Sequence, residues 1–384
     1  MKNKVIICKN CIYDSSMPTV IFDNNGVCNY CLMIENLKNQ YKTGTKRGGE
    51  DLKKIIDEII KAGKNKPYDI IVGVSGGVDS SFMLHKSIEW GLRPLAVHYD
   101  NTWNTSIASE NIRKITQSLK IDLYTLVVDN KESSDIARSF FYANVPELDG
   151  PTDIALAETL YRAASKFKIK YIFEGHSFLE EGISPLSKAY IDGGYIKDVH
   201  KKFGRIKMKT FPNMTFFSFL KWVMFYRIKK IRPFWYIDYS KENAKNILMN
   251  LYDWEDYGGH HLENRMTAFN HSVYFPIKFD EDQRNNTISA LVRSGKITRD
   301  QGLIEFNKPH YIEKGLVEYF KKRANISDEE YEKVMKGEKK SYLDYKTYKK
   351  RFERLRPLFF VLAKANLVPM SFYLKYCFPI KNNK

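Results

Sequence analysis

Ile70-Ile71-Val72-Gly73-Val74-Ser75-Gly76-Gly77-Val78-Asp79-Ser80-Ser81 is the stretch that decides the fold. Its aliphatic start, without a charge, reads as a buried strand, and the residues from Ser80 to Trp90 read as a helix. Between them, Ser-Gly-Gly-Val-Asp-Ser turns the chain. Gly76 and Gly77 can adopt positive φ and let the backbone come close to an anion. The amides of Ser75, Gly76, Gly77, Val78, Asp79 and Ser80, at the start of a helix, then point at phosphate oxygens. Ser75 and Ser80 add hydroxyl donors. A carboxylate beside phosphates repels them unless a cation intervenes, which makes Asp79 a candidate magnesium ligand and catalytic residue. The plain alternative is an ordinary glycine turn between strand and helix. No Gly-Lys-Ser/Thr ends the loop, so it is not a Walker A motif.

Working outward, strands over 95–99, 123–128 and 170–173 alternate with helices over 106–119 and 154–167. Such alternation predicts an α/β fold with a doubly wound parallel sheet, binding its ligands at the carboxyl ends of the strands. His98, Asp100 and Asn101 follow the second strand, where a nucleoside would lie. Glu174, Gly175 and His176 follow the strand over 170–173 and face the same crevice; His176 can bind a phosphate, orient an acyl group or handle a proton. Upstream, 43–49 reads as a linker and Leu52, Ile55, Ile56, Ile59 and Ile60 mark a helix. Beyond about 195 the alternation fades. The aromatic run over 216–226, followed by basic residues, suits a core-packed helix better than one lying on a membrane. The tail after Ile312 is helical, with a capping box at Ser327-Asp328-Glu329-Glu330. The predicted division is 1–45, 50–200, 201–310 and 311–384.

Of five cysteines, four form Cys8-Lys9-Asn10-Cys11 and Cys28-Asn29-Tyr30-Cys31, with sixteen residues between the pairs. This spacing predicts a zinc-ribbon-like site of four thiolates, closed and therefore structural, with an iron–sulfur cluster as the alternative. No signal peptide and no membrane-length apolar stretch is seen, so a cytoplasmic location without membrane insertion is expected. The formal charge of +17 favours anionic partners without choosing among nucleic acid, nucleotide, membrane surface and anionic sugar.

The Ser-Gly-Gly-Val-Asp-Ser loop resembles that of the PP-loop ATP pyrophosphatase superfamily, a HUP-like fold, whose members cleave ATP between its α and β phosphates. The paired knuckles, Asp100-Asn101-Thr102-Trp103-Asn104, Pro151-Thr152-Asp153 and Glu181-Gly182 with Pro185 add to the likeness. So do His200-Lys201-Lys202-Phe203-Gly204, Gly258-Gly259-His260-His261-Leu262-Glu263-Asn264-Arg265 and Leu291-Val292-Arg293-Ser294-Gly295. Together they resemble the N-acetyl sugar amidotransferases of bacterial surface-polysaccharide and nonulosonic acid (pseudaminic or legionaminic) pathways. The likeness runs from the knuckles to about residue 305; Thr102 departs from the usual glycine, and no family signature is seen beyond residue 310. The resemblance implies that the acetamido oxygen of an N-acetyl sugar attacks the α-phosphate of ATP, with magnesium, and that ammonia then displaces AMP to leave an acetamidine. Lys278 and Arg284 are candidates for neutralising charge in that step.

A glutaminase needs a cysteine nucleophile. The four clustered cysteines are committed, and Cys377 lies in Tyr376-Cys377-Phe378-Pro379, without a glycine-rich elbow. Ammonia is therefore expected from solution or from a partner glutaminase similar to that of histidine biosynthesis. The rival reading is a PP-loop enzyme that adenylates a tRNA base; the absence of cysteines near the loop disfavours thiolation, and nucleic acid is not the expected partner.

Overall fold

The computed structural model describes residues 5–17, 19–183, 190–259, 262–365 and 367–378. At its centre, β1 (Ile70–Gly73), β2 (Pro94–Asp100), β3 (Leu123–Val127), β4 (Tyr171–Phe173) and β5 (Lys229–Ile231) form one sheet in the order β3-β2-β1-β4-β5. Every pairing is parallel. Helices α1 (Asn29–Tyr41) and α2 (Lys46–Gly63) precede the sheet. α3 (Val78–Glu89) joins β1 to β2, α4 (Ser106–Ser118) joins β2 to β3, and α5 (Asn130–Tyr142) and α6 (Gly150–Lys166) lie between β3 and β4.

Strand alternation builds a core on each face. Ile70, Val72 and Ala96 point into one cluster with α2, α3 and α4, through Leu52, Ile56, Met83 and Ile112. Ile71, Leu95, Val97 and Ile172 point to the other, against Leu160, Ala163 and Ala164 of α6. Each fully buried Ile, Val or Leu contributes about 1.5–3 kcal/mol. The chain runs from β1 outward to β2 and β3, then returns to β4 and β5 on the other side. The order therefore reverses between β1 and β4, and a crevice opens at their carboxyl ends.

The expected doubly wound sheet and helical tail are present, including the Ser327/Glu330 capping box. The segment over 43–49 is not a linker: Thr45 caps α2, its hydroxyl accepting from the Gly48 amide at 3.2 Å, so the glycine pair lies in the first turn. The run over 216–226 packs Phe216, Phe219, Trp222 and Val223 into the core, as its pattern suggests. No helix among the described residues is long and apolar enough to cross a membrane.

Candidate active site

The turn after β1 laces itself together. The Ser75 amide donates to Ser80 Oγ at 3.3 Å, the Gly77 amide to Ser75 Oγ at 3.2 Å, and the Ser80 hydroxyl to the Gly77 carbonyl at 3.2 Å. Gly76 has φ +83°, and a Cβ there would stand 2.2 Å from the Ala108 carbonyl oxygen. On the opposite side, a Cβ on Gly175 would stand 2.9 Å from the Asp79 carbonyl oxygen. The turn is thus clamped between α4 and the end of β4, at distances only glycine allows. Gly77 caps α3 without a side chain to occupy the first-turn amides, and the Tyr257 hydroxyl lies against the Val78 amide. In front of the turn lies a cavity of about 430 Å³, a size ordinary for a small-molecule or cofactor site.

Cations and carboxylates alternate around this cavity. Asp79 Oδ1 accepts from the Tyr239 hydroxyl at 2.5 Å, and Oδ2 from Lys241 Nζ at 2.8 Å. The Lys241 amide donates to Glu180 Oε1 at 2.7 Å, which fixes the lysine's backbone; Lys296 pairs with the same carboxylate. Glu174 lies between Lys230 at 2.7 Å and Arg232 at 2.9 Å. Burial works to raise Glu174's carboxyl, but these two cations hold it well below the usual range. Burial opposes the charge on Lys230 and Lys241 too, and their carboxylate partners push both ammonium groups above their ordinary value. The arrangement suits a polyphosphate, which can replace carboxylate as partner to the same cations. Lys230 and Lys241, which line the cavity, and Arg232 and Tyr239, which hold its carboxylates Glu174 and Asp79, were not legible as site residues: each sits in an unremarkable local run and is brought there only by the fold.

Both histidines are held neutral. His98 Nδ1 donates to the Val74 carbonyl at 2.8 Å, leaving Nε2 to accept from Asn104 Nδ2 at 3.2 Å; burial lowers its pKa. His176 Nδ1 accepts from Trp235 Nε1 at 3.2 Å, so Nε2 carries the proton and donates to the Gly182 carbonyl at 3.1 Å. Burial, and then the Arg232 charge, push His176 down to about 4. Both His176 nitrogens are thus engaged, one of them across the 176–182 turn, and the ring lines the cavity. Asp100 binds the Thr102 amide at 2.7 Å and does not line the cavity, whereas Asn101 does. Asn101 and Asn104 both accept from Asn264 Nδ2, at 2.9 and 2.8 Å. Thr102 stands at φ +66°, which accounts for glycine being the usual residue in that motif. Thr152, Asp153, Glu181 and Glu263 also line the cavity. Pro185, His260 and His261 lie outside the described residues.

Lys278 and Arg284 are not at this site. Lys278 is buried, and its ammonium donates to the carbonyls of Val334 and, at 3.0 Å, Gly337. Arg284 pairs with Asp282 at 2.7 Å and donates to the carbonyls of Lys308 at 2.8 Å and Phe306 at 3.1 Å. The charge-rich run Lys278-Phe279-Asp280-Glu281-Asp282-Gln283-Arg284 is bound to the helices that follow it.

Cys8, Cys11, Cys28 and Cys31 are buried, with one sulfur from each lying within 4.8 Å of the others, an arrangement that can hold a metal ion. Arg293 Nε and Nη2 donate to Cys31 and Cys11 Sγ, each at 3.3 Å, and its guanidinium lies 4.4 Å from the Tyr13 ring centroid. Arg299 Nε donates to the Cys8 carbonyl at 2.8 Å. These contacts dock the amino-terminal knuckles onto the helices Arg284–Arg293 and Arg299–Phe306.

Sheet order, switch-point crevice and Ser-Gly-Gly-Val-Asp-Ser turn together define an α/β protein with a candidate phosphate site at the carboxyl ends of its parallel strands. Residues 263–356 match the family model described as LPS biosynthesis protein WbpG-like, C-terminal domain. The match begins at Glu263, on the cavity wall, and runs well past residue 310, so the tail carries a family signature that sequence reading had not found. No curated protein matches the chain. Among solved structures, it is similar to the NMN synthetase from Francisella tularensis (14% identity, TM-score 0.27, 58% of this chain and 92% of that one). It is similar to an NH3-dependent NAD synthetase from Campylobacter jejuni (12%, TM-score 0.31, 69% and 99%). It is also similar to the U34-tRNA thiolase NcsA from Methanococcus maripaludis (10%, TM-score 0.30, 79% and 90%), a structure with a [4Fe-4S] cluster. These likenesses are too low to bear on substrate.

Proposed function

We propose that the chain is an ATP-dependent amidotransferase that converts the acetamido group of an N-acetyl sugar to an acetamidine in bacterial surface-polysaccharide synthesis. One observation carries the reading: Glu263, Asn264 and Thr267, from the stretch that matches the lipopolysaccharide-biosynthesis model, line the same cavity as the glycine turn. The turn's amides and hydroxyls take the β and γ phosphates. Lys241 and Lys230 leave their carboxylates for phosphate oxygens and offset the charge that builds as the α-phosphate is attacked. The sugar's acetamido oxygen bonds to that phosphorus and pyrophosphate departs. Ammonia then adds to the imidate carbon, AMP leaves, and the amidine remains. An amide is too poor an electrophile to take ammonia without this activation.

Asp79 and the other cavity carboxylates would hold magnesium, which would supply charge neutralisation at the phosphates. In the four-cysteine site three of the six sulfur pairs measure 3.5, 3.7 and 3.8 Å, and all lie within 4.8 Å. A tetrahedron with Zn–S bonds of about 2.3 Å has edges near 3.8 Å, which supports a single zinc ion over a cluster whose thiolates bind separate irons. Ammonia is assigned to solution or to a partner glutaminase of the histidine-biosynthesis kind.

Mass spectrometry of N-acetyl sugars incubated with ATP, magnesium and ammonium tests the reading. The expected product is lighter than its substrate by one mass unit, oxygen replaced by NH. The +17 charge leaves tRNA adenylation as the second reading. No cysteine lines the cavity, which counts against a thiol relay there. Release of AMP and pyrophosphate that requires tRNA and ignores sugars would establish that alternative.

A further inference from the structure

The helices Arg356–Lys364 and Met370–Tyr376 cover the sheet face on which α6 lies. Their inner side chains complete that core. Phe359 and Leu362 are buried, and Phe219 packs against Phe359 at 6.3 Å and Phe372 at 4.9 Å. Their outer side chains do not follow the usual rule for a helix surface. Phe360, Val361, Met370 and Leu374 are 43, 62, 40 and 46% exposed. Rings connect the two helices: Phe360 meets Tyr373 at 5.5 Å, and Tyr373 meets Phe378 at 5.2 Å. Cations border it, with Lys364 over Phe360 at 5.5 Å and Arg356 over Phe378 at 5.2 Å. Lys350, Arg351 and Arg354 are exposed on the preceding turns. From 349 to 378 the only acidic residue is Glu353, half-buried beside Lys349 at 3.6 Å. The segment carrying Phe219 adds two more bare rings, Phe217 at 73% and Phe225 at 79% exposure, with Lys221 and Arg227 exposed between and after them.

We propose that this carboxy-terminal face docks the enzyme on an anionic phospholipid surface. An exposed apolar cluster marks an interaction site. Aromatic and aliphatic tips interleaved with Lys and Arg, and almost without acids, match the headgroup region, where rings insert shallowly and cations meet lipid phosphates. Each Lys or Arg near such a surface adds about 1 kcal/mol of attraction. The acid-poor border gives a protein partner little to pair with unless that partner is itself strongly acidic, whereas a phosphate-covered bilayer complements every cation present. With short amphipathic helices, and no helix among the described residues long and apolar enough to span a bilayer, the docking is peripheral and reversible. It does not depend on the substrate assignment above.

The test is co-sedimentation of the full chain with phosphatidylcholine vesicles, with and without phosphatidylglycerol. We expect at least tenfold stronger partition onto the anionic vesicles, largely lost in about 0.5 M NaCl. The pair Phe360→Ser/Leu374→Ser and the pair Arg356→Gln/Lys364→Gln should each lower that partition about tenfold or more. Thermal unfolding and pyrophosphate release should stay unchanged in both. Absence of partition, equal partition onto neutral vesicles, or indifference to both variant pairs overturns the proposal. So does a concentration-dependent dimer that the same substitutions dissolve, since a second copy of the chain would then cover the face.

Discussion

Buried and half-buried cations do two different jobs in this chain. Lys230, Arg232 and Lys241 stand around the amino-terminal end of α3 and are paired with the carboxylates of Glu174 and Asp79. Lys278 and Arg284 instead sit at carboxyl ends of helices. Lys278 serves the last carbonyls of Asp328–Lys336 and the residue after it, and Arg284 those of Arg299–Phe306 and just beyond. Helix carboxyl ends carry unpaired carbonyls and partial negative charge, so a cation there is a permanent cap. A carboxylate partner, by contrast, is exchangeable for another anion. What a buried lysine does is thus decided by its partner: carbonyls fix it in place, and a carboxylate facing a cavity keeps it available.

The comparison is broken or upheld most directly at Lys241 and Lys278. Lys241→Met should lower AMP and pyrophosphate formation by about 10²–10³-fold, the usual cost of removing a transition-state donor. Its melting temperature should hardly move, since Tyr239 still binds Asp79. Lys278→Met should do the reverse. It removes the ammonium's bonds to the Val334 and Gly337 carbonyls, of which Val334's keeps the Gly337 amide at 3.1 Å, and should cost about 2 kcal/mol in urea unfolding, with turnover intact. If Lys278→Met instead abolished turnover at full stability, the division between the two sets would be wrong.

The third expectation concerns His176, which Arg232 and burial keep neutral. An unfolded imidazole with the ordinary value of 6.5 takes up a proton that the folded one refuses until about 4. The unfolded state therefore binds more protons across this interval, and stability should fall as pH drops from 6.5 toward 4. Arg232→Met removes the cationic part of that depression. NMR titration should then find the His176 pKa higher and the acid loss of stability smaller; an unmoved titration would separate the histidine from the cation set.

The difference between the sets also explains what sequence reading could reach. The turn over 75–80 was legible because its glycines, hydroxyls and carboxylate are consecutive, and the cysteines because ligand spacing is local. The sheet followed from aliphatic runs at β1 and β2. β5 was missed: Lys229-Lys230-Ile231 is a short edge strand whose lysine serves the cavity, so it lacks an apolar signature. Lys241 was missed because nothing near Tyr239-Ser240-Lys241 marks it; it meets Asp79 across 162 residues of chain. Lys278 and Arg284 were misread for the converse reason. A run dense in charge resembles a site when helix ends that will absorb the charge are not yet in view.

Arg284 gives the smallest effect and the finest test. Its guanidinium has several partners: Asp282, the carbonyls of Phe306 and Lys308, and the Phe306 ring at 5.8 Å. His310 also reaches Asp282, at 3.0 Å. Arg284→Met therefore leaves Asp282 with a second partner and exposes the carbonyls to water, since the arginine side chain is itself 30% accessible. The expected cost is about 1 kcal/mol, below that at Lys278, which is itself buried beside the buried Val334. Equal losses at both positions would mean that burial of the helix end is not what sets the cost. A loss of pyrophosphate release with Arg284→Met, at unchanged stability, would return this arginine to the active site and remove the distinction between capping and cavity cations.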